Sequence, residues 1–229
     1  DAAPSTEAMT ENWILGPDIG QCCVGAVDVH FERMKAGDFA RLRRNEEIRR
    51  DALPQVYVFG AGHVGQAVAR AAATLPLRLT CIDERAGMLA LAVPHARTIV
   101  AEDPLAELAK APPGALVFIM SHSHALDFKL VRAALLRDDL AFIGLIGSAT
   151  KQARFRQRLL KDGMSERRLS RLVSPIGVAG ISGKEPAVIG VSVAAQILQT
   201  IEKIAAAANI SDVADRENIR LVSNDTLAT

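Results

Sequence analysis

The chain has 229 residues, which at about 150 residues per domain is one large domain with a fragment beside it. It is 49% hydrophobic and 23% charged, which excludes a disordered or fibrous chain, and with aromatics at 4% the core must be built from aliphatic residues. Twenty-seven Lys and Arg against 26 Asp and Glu give a net charge of +1, so no global field draws nucleic acid or an anionic membrane, and any anion must be held by local groups.

Residues 1–50 do not read as a complete domain. Residues 26–31 alternate apolar and polar and predict a strand. Residues 41–50 mix arginines with Glu46 and Glu47 and read as a solvated helix or linker rather than a basic patch for a partner. From Pro54 the character changes. Residues 55–59 predict a strand ending in glycines, and 63–74 are Ala-rich and helical by propensity. Residues 77–83 and 97–100 predict further strands, with a short helix at 105–110. Residues 115–120 form a near-continuous apolar run, of the kind buried on both faces of a parallel sheet. A helix at 127–136 and another buried strand at 141–146 complete the alternation. Alternating strands and helices predict an α/β fold with a doubly wound parallel sheet.

Beyond the sheet, residues 150–160 and 165–172 predict helices, and a loop rich in Gly and Pro runs from Ser174 to Gly183. Residues 187–208 predict a long helix. Glu202 and Lys203, with the Gln196 and Gln199 pattern, mark it as packed rather than membrane-spanning. The polar stretch 209–229 reads as a loose tail. The predicted organisation is thus a partial N-terminal domain over 1–50, an α/β domain over 54–208 and the tail.

Gly60-Ala61-Gly62-His63-Val64-Gly65 fits G-x-G-x-x-G directly between a predicted strand and a predicted helix. In that context Gly60 allows the tight turn, Gly62 lets the backbone approach a phosphate, and Gly65 allows close packing of helix on strand. The helix N-terminus then offers unpaired N–H groups and a positive dipole end. Asp83 ends the next strand, where an acid can receive ribose hydroxyls, and Arg85 stands where a guanidinium can receive a 2′-phosphate, which leaves NAD and NADP both open. His63 falls near the phosphates or is simply an exposed residue at a helix start.

Ser121-His122-Ser123-His124 follows the next strand, with Asp127 on the helix after it. The histidines can cap that helix, contact an anion or, less specifically, bind metal; their spacing is no metal signature and no metal site is expected. Ser148 and Lys151 follow the strand at 141–146, Ser148 as an N-cap or ligand contact and Lys151 as a point charge toward an anion. Before the long helix, Ser182 and Glu185 have capping-box spacing and Pro186 suits the first turn, leaving Lys184 as a further candidate for an anion. The chain carries no G-x-S-x-G, H-E-x-x-H, C-x-x-C or Walker A pattern, so ordinary hydrolase and kinase readings lose support and no catalytic residue is assigned.

The three cysteines form no disulfide framework, and a bridge between the adjacent Cys22 and Cys23 would be strained, so a cytoplasmic location is expected. Each can be a small apolar packing residue, a soft metal ligand or a persulfide carrier. Cys81, inside a strand, reads as structural. The chain opens on Asp1, and a piece of a longer protein is expected.

Gly20-Gln21-Cys22-Cys23, the glycine motif, the Ser-His-Ser-His loop, Ile143-Gly144-Leu145-Ile146-Gly147-Ser148 with Lys151, and Pro175-Ile176-Gly177 leading to Gly183-Lys184-Glu185-Pro186 together resemble the xanthine dehydrogenase accessory protein family, XdhC/CoxI. The resemblance runs over about residues 14–205. It implies a Rossmann-like C-terminal half in a chaperone that binds molybdenum cofactor, a molybdopterin, and supports its sulfuration. The chaperone would deliver that cofactor to xanthine dehydrogenase or a related molybdenum hydroxylase. It also implies a cysteine desulfurase as a partner, a homo-oligomer, and Cys22 and Cys23 at the cofactor site, with neither nucleic acid nor membrane engaged. Val24 stands where the family often has glycine, and the family's Gly- and Arg-containing segment upstream of the cysteines is not in the chain. The competing readings are an NAD(P)-binding oxidoreductase, carried by Gly60, Gly62, Gly65 and Asp83, and a ligand-sensing Rossmann module.

Overall fold

In the computed structural model, which describes residues 9–15, 25–35, 37–91 and 96–224, the chain divides into two units, Asp1–Ala52 and Leu53–Thr229. In the first, β1 (Met9–Leu15) pairs antiparallel with β2 (Gly25–Phe31), and α1 (Asp38–Asp51) follows. Opposite residues in an antiparallel pair share a face. One face carries Met9, Trp13, Val27 and Phe31, all exposed, and the other is tied by Thr10 to His30 and by Asn12 to Asp28, each at 2.7 Å. β1 escapes a reading by alternation because Glu11 interrupts its apolar face. The arginine-rich α1 has no buried residue, in keeping with a solvated helix.

The second unit is a six-stranded parallel sheet of β3 (Gln55–Phe59), β4 (Arg78–Asp83), β5 (Arg97–Val100), β6 (Leu116–Ile119), β7 (Phe142–Leu145) and β8 (Leu172–Val173), in the spatial order β5-β4-β3-β6-β7-β8. Counted from β3 this is 3-2-1-4-5-6, the order of the Rossmann fold, whose ligand crevice lies where the order reverses, between the carboxyl ends of β3 and β6.

Period-two alternation divides the interior. Val56, Val58, Leu116 and Phe118 face α2 (His63–Ala72) and α8 (Pro186–Asn224), while Tyr57, Phe59, Val117 and Ile119 face the layer that includes α5 (His124–Leu136) and α6 (Ala149–Lys161). Three short helices complete the unit: α3 (Ala86–Leu89), α4 (Pro104–Ala109) and α7 (Glu166–Leu169). β8 is only two residues long and carries no periodicity to read.

The stretch Pro186–Ala207 is long and apolar enough to cross a bilayer, yet it packs along α2 with Val193 and Ile197 fully buried. A Cβ on Gly190 would stand 2.7 Å from the Ala67 carbonyl, so the glycine sets the close approach of the two helices. α8 continues to Asn224 instead of giving way to a loose tail at 209. Residues 209–224 are polar but contain neither Gly nor Pro, so nothing local stops the helix. The expected capping box is also absent: Ile189 N–H donates to the Glu185 carbonyl, placing Glu185 itself at the cap with Pro186 after it, three residues past Ser182.

Candidate functional site

The site is built on the turn between β3 and α2. Gly60 has φ +116°, and a Cβ there would lie 2.3 Å from the Met120 carbonyl oxygen; one on Gly65 would lie 1.9 Å from the Gly60 carbonyl oxygen. The turn is therefore sandwiched between the end of β6 and the start of α2, and only glycine fits. Gly62 differs: it is the N-cap of α2, its φ of −66° suits any residue, and a Cβ would meet nothing within 4 Å. Side chains of Asp103, Ser123, Ser148 and Ser165 cap α4, α5, α6 and α7, whereas α2 has no side-chain cap. Its first-turn N–H groups, at the positive end of the helix dipole, face the open space in front of Gly62. His63, the first helical residue, is exposed there.

Two buried side chains fix this turn. Gln66 Nε2 donates to the Ala61 carbonyl at 2.9 Å. Asp83, its side chain 2% exposed, accepts from Ala61 N–H at 2.7 Å, from Arg85 N–H at 3.0 Å, and from Arg85 Nε and Nη2 at 2.8 and 2.9 Å. A carboxylate offers about four acceptor positions, so all are engaged. Burial pushes the pKa of Asp83 up, but the hydrogen bonds from the Arg85 side chain, Ala61 N–H and Arg85 N–H outweigh it and hold the carboxyl at about 2.

Two expectations are corrected by this geometry. Asp83 is no free acceptor for ribose hydroxyls, and Arg85 commits Nε and Nη2 to Asp83, which leaves only its remaining donors for a 2′-phosphate. The spacing of an acid and an arginine two residues apart at a strand end permits this clamp as readily as it permits ligand contacts.

The loop after β6 is organised by a serine, not a histidine. Ser123 Oγ accepts from Leu126 N–H at 3.3 Å and caps α5, while Ser121 N–H donates to Asp127 Oδ1 at 2.9 Å. The side chains of His122 and His124 are exposed and form no hydrogen bond among the described residues, so the capping role expected of them belongs to Ser123. Lys151 Nζ lies 2.6 Å from Asp127 Oδ2 and 3.0 Å from the Ile146 carbonyl, and the side chains of Lys151 and Asp127 are 11% and 1% exposed. Lys151 is therefore a buried tie between α5 and α6 and not a point charge awaiting an anion. Ser148 Oγ accepts from Lys151 N–H at 3.3 Å as the N-cap of α6.

Because β3 to β8 run parallel, the loops bearing Gly62, Arg85, His122, Ser148 and Lys184 all leave the same sheet edge. The glycine turn, Asp83, Arg85 and His122 converge at the switch point; Ser148 and Lys151 stand at the end of β7. Lys184 is exposed in the loop before α8 and makes no hydrogen bond. Cys22 and Cys23 lie outside the described residues. Cys81 is buried within β4, where burial pushes its thiol up to about 11 and confirms a packing role.

One residue at this edge escapes sequence reasoning. Glu84 is among the residues lining a small cleft beside Gly60, with His122, Phe59, Ile82, Pro104 and Leu126. Its side chain is exposed and forms no hydrogen bond among the described residues, though its charge acts on Arg85. The available signal was its place directly after the strand-end acid.

The profile of the XdhC Rossmann domain matches residues 56–197. An uncharacterized protein of Escherichia coli K12, YqeB, is 29% identical over 153 residues, which is 64% of this chain and 27% of that protein. A Bacillus halodurans chain whose crystal structure is described as that of a xanthine dehydrogenase superposes with a TM-score of 0.55 at 21% identity, covering 86% of this chain and 61% of that one. At that identity the likeness speaks to the fold. The chain thus spans less than two thirds of either relative.

Proposed function

Because the chain belongs to the XdhC family, whose Rossmann domain it carries over residues 56–197, we propose that it serves as an accessory factor for a xanthine dehydrogenase-like molybdenum enzyme, holding molybdenum cofactor in the cytoplasm and passing it to that enzyme. Its resting place would be the carboxyl edge of the sheet.

The observation that carries this reading is the uncapped N-terminus of α2 behind a turn in which Gly60 and Gly65 leave no room for a Cβ. A molybdopterin ends in a phosphate, and backbone N–H groups at a helix N-terminus are a ready seat for one. Asp83 and Gln66 hold the turn in place before the ligand arrives, so little ordering entropy opposes binding. When bound, the cofactor supplies a dithiolene-held molybdenum centre. Cys22 and Cys23 are proposed to serve its sulfuration, with sulfur coming from a cysteine desulfurase.

Gly62→Asp tests the seat without threatening the fold. Aspartate is among the best N-cap residues, so thermal stability should hold or rise, while its carboxylate takes the first-turn N–H groups and repels a phosphate. Protein isolated without oxygen is assayed for pterin by the fluorescence of its oxidised form, then mixed with cofactor-free hydroxylase. Wild type should carry pterin and restore activity, and Gly62→Asp should do neither. Wild type devoid of pterin that neither binds nor transfers it overturns the proposal.

A further inference from the structure

We infer that the outer face of α5 and α6 is a docking surface for a partner protein that presents a cluster of carboxylates. The inference rests on the reading that the chain passes its cofactor to another enzyme, and it names the face that meets that enzyme.

The two helices are joined on their facing sides by Lys151 with Asp127 and by the rings of Phe128 and Phe155, 5.3 Å apart. Their exposed sides carry Lys129 and Arg132 on α5 and Arg154, Arg158 and Lys161 on α6. Neither helix has an exposed carboxylate. The 13 residues of α6 include no Asp or Glu, and the one acid on α5, Asp127, is buried and paired with Lys151. Among the described residues Lys129, Arg132, Arg154 and Lys161 form no hydrogen bond or ion pair. By contrast, the solvated helix α1 mixes Asp38, Glu46, Glu47 and Asp51 with its cations.

On α5 and α6 like charges stand three or four residues apart, Lys129 with Arg132, Arg154 with Arg158, and Arg158 with Lys161, a spacing that opposes helix formation. A chain with a net charge of +1 thus gathers five cations on one face, and carboxylates arriving there relieve their repulsion. Arg158 Cζ lies 4.0 Å from the centroid of the Phe128 ring. A guanidinium resting on an aromatic ring keeps its N–H donors for a carboxylate and loses less freedom on binding one.

The rest of the surface selects a protein as the occupant. Ala125, Leu136 and Ala153 are exposed among the cations, and no aromatic side chain is exposed on either helix, so the bases of a single strand have no stacking platform. The apolar sides of both helices are buried in the core, which leaves Leu136 alone among large exposed apolar side chains to enter a bilayer. A second copy related by a two-fold axis would set the same cations against each other. Both helices begin at the carboxyl edge, at the caps Ser123 and Ser148, while α2 packs on the opposite side of the sheet. A partner laid along α5 and α6 therefore reaches the edge where the cofactor is proposed to rest, without bearing on its seat.

Surface plasmon resonance of the full chain with cofactor-free hydroxylase tests this. Association with wild type should slow about tenfold or more between ~50 and ~300 mM salt. Lys129→Gln/Arg132→Gln/Arg154→Gln/Arg158→Gln alters exposed positions only, and should keep the melting temperature and the pterin content of wild type. It should associate about tenfold or more slowly at the lower salt and lose most of the salt dependence. Lys203→Gln, which removes an exposed cation from α8, should change neither. A quadruple variant that carries pterin and associates at the wild-type rate overturns the inference and leaves the accessory reading standing. Wild type that neither carries pterin nor associates overturns both. Binding of wild type to polyuridylate or to phosphatidylserine vesicles that the quadruple variant loses, with association to the hydroxylase unchanged, also overturns the inference.

Discussion

Replacing Asp83 with asparagine isolates the clamp on the glycine turn. The amide has nearly the shape of the acid, but its NH2 group is a donor. Whichever way it is turned, either Ala61 N–H and Arg85 Nη2 or the two donors at Oδ1 meet a donor in place of an acceptor. Ala61 is 2% exposed, so its N–H cannot turn to water. The scale of the loss comes from the carboxyl's acidity, held at about 2 against 3.8 for a free aspartate, which at ~1.36 kcal/mol per pH unit corresponds to about 2 kcal/mol. The hydrogen bond from Ala61 N–H is already part of that figure, because it is one of the contacts that hold the carboxyl down. Urea unfolding followed by circular dichroism should therefore show Asp83→Asn destabilised by about 2–3 kcal/mol at pH 7. The charge-dependent part has a definite pH window. A carboxyl whose folded value is depressed stabilises fully above its unfolded value of about 3.9, and that part disappears as pH falls through the folded value. The gap between wild type and variant should hold from pH 7 to about 5 and narrow between about 4 and 2. A loss under about 1 kcal/mol at pH 7, or a gap that does not narrow on acidification, refutes the clamp.

Gly65→Ala should destabilise by about 1–3 kcal/mol or more and weaken pyrophosphate binding, because its Cβ would stand 1.9 Å from the Gly60 carbonyl oxygen and must push α2 off the turn; wild-type melting and affinity together would contradict the packing. Lys151→Met leaves the carboxylate of Asp127, 1% exposed, without its cation and should lower stability by about 3–5 kcal/mol. Adding Asp127→Asn should recover a good part of that loss, and a double-mutant cycle with no coupling would sink the buried tie. Cys81 should resist iodoacetamide in the native protein at pH 8, since burial holds its thiol near 11, and should label only at the rate of unfolding, read by peptide mass spectrometry; rapid native labelling would show that β4 is open.

The sheet was legible because β3, β6 and β7 are short apolar runs that two helical layers bury on both faces, and such runs announce themselves without partners. The glycine turn was legible too, since its spacing encodes a local backbone path. What the sequence hid is non-local. Lys151 finds Asp127 across 24 positions, and no pattern within either helix distinguishes a paired lysine from a free one. Ser123 and His122 stand side by side in one loop, and only the course of the backbone decides which side chain turns to cap α5. Asp83 and Arg85 meet at the end of β4, yet their roles turn on whether the guanidinium folds back, which spacing permits but does not dictate. The polarity of residues 209–229 suggests looseness, whereas the helix runs to Asn224, because helix formation depends on backbone propensity and not on burial alone.

The near-neutral charge of +1 conceals a division of labour between the two edges of the sheet. Arg137 donates to the carbonyls of Leu108 and Ala111 at the end of α4, Arg168 to those of Leu135 and Leu136 at the end of α5, and Arg171 to those of Arg137 and Leu140 just beyond it. Helices that return antiparallel to the strands end at the amino edge, where their terminal carbonyls carry partial negative charge and are unpaired. These three arginines thus satisfy helix C-termini on the edge away from the crevice. Of the candidate cations at the carboxyl edge, Lys151 is held by Asp127 and Arg85 is folded onto Asp83, while Lys184 stays exposed in the loop before α8. An anion arriving at the switch point therefore meets backbone N–H groups at α2 as its principal donors. Such a seat is weakly sensitive to side-chain substitution and strongly sensitive to anything that moves the turn, which is why Asp83, although engaged wholly within the protein, should govern ligand binding as much as stability.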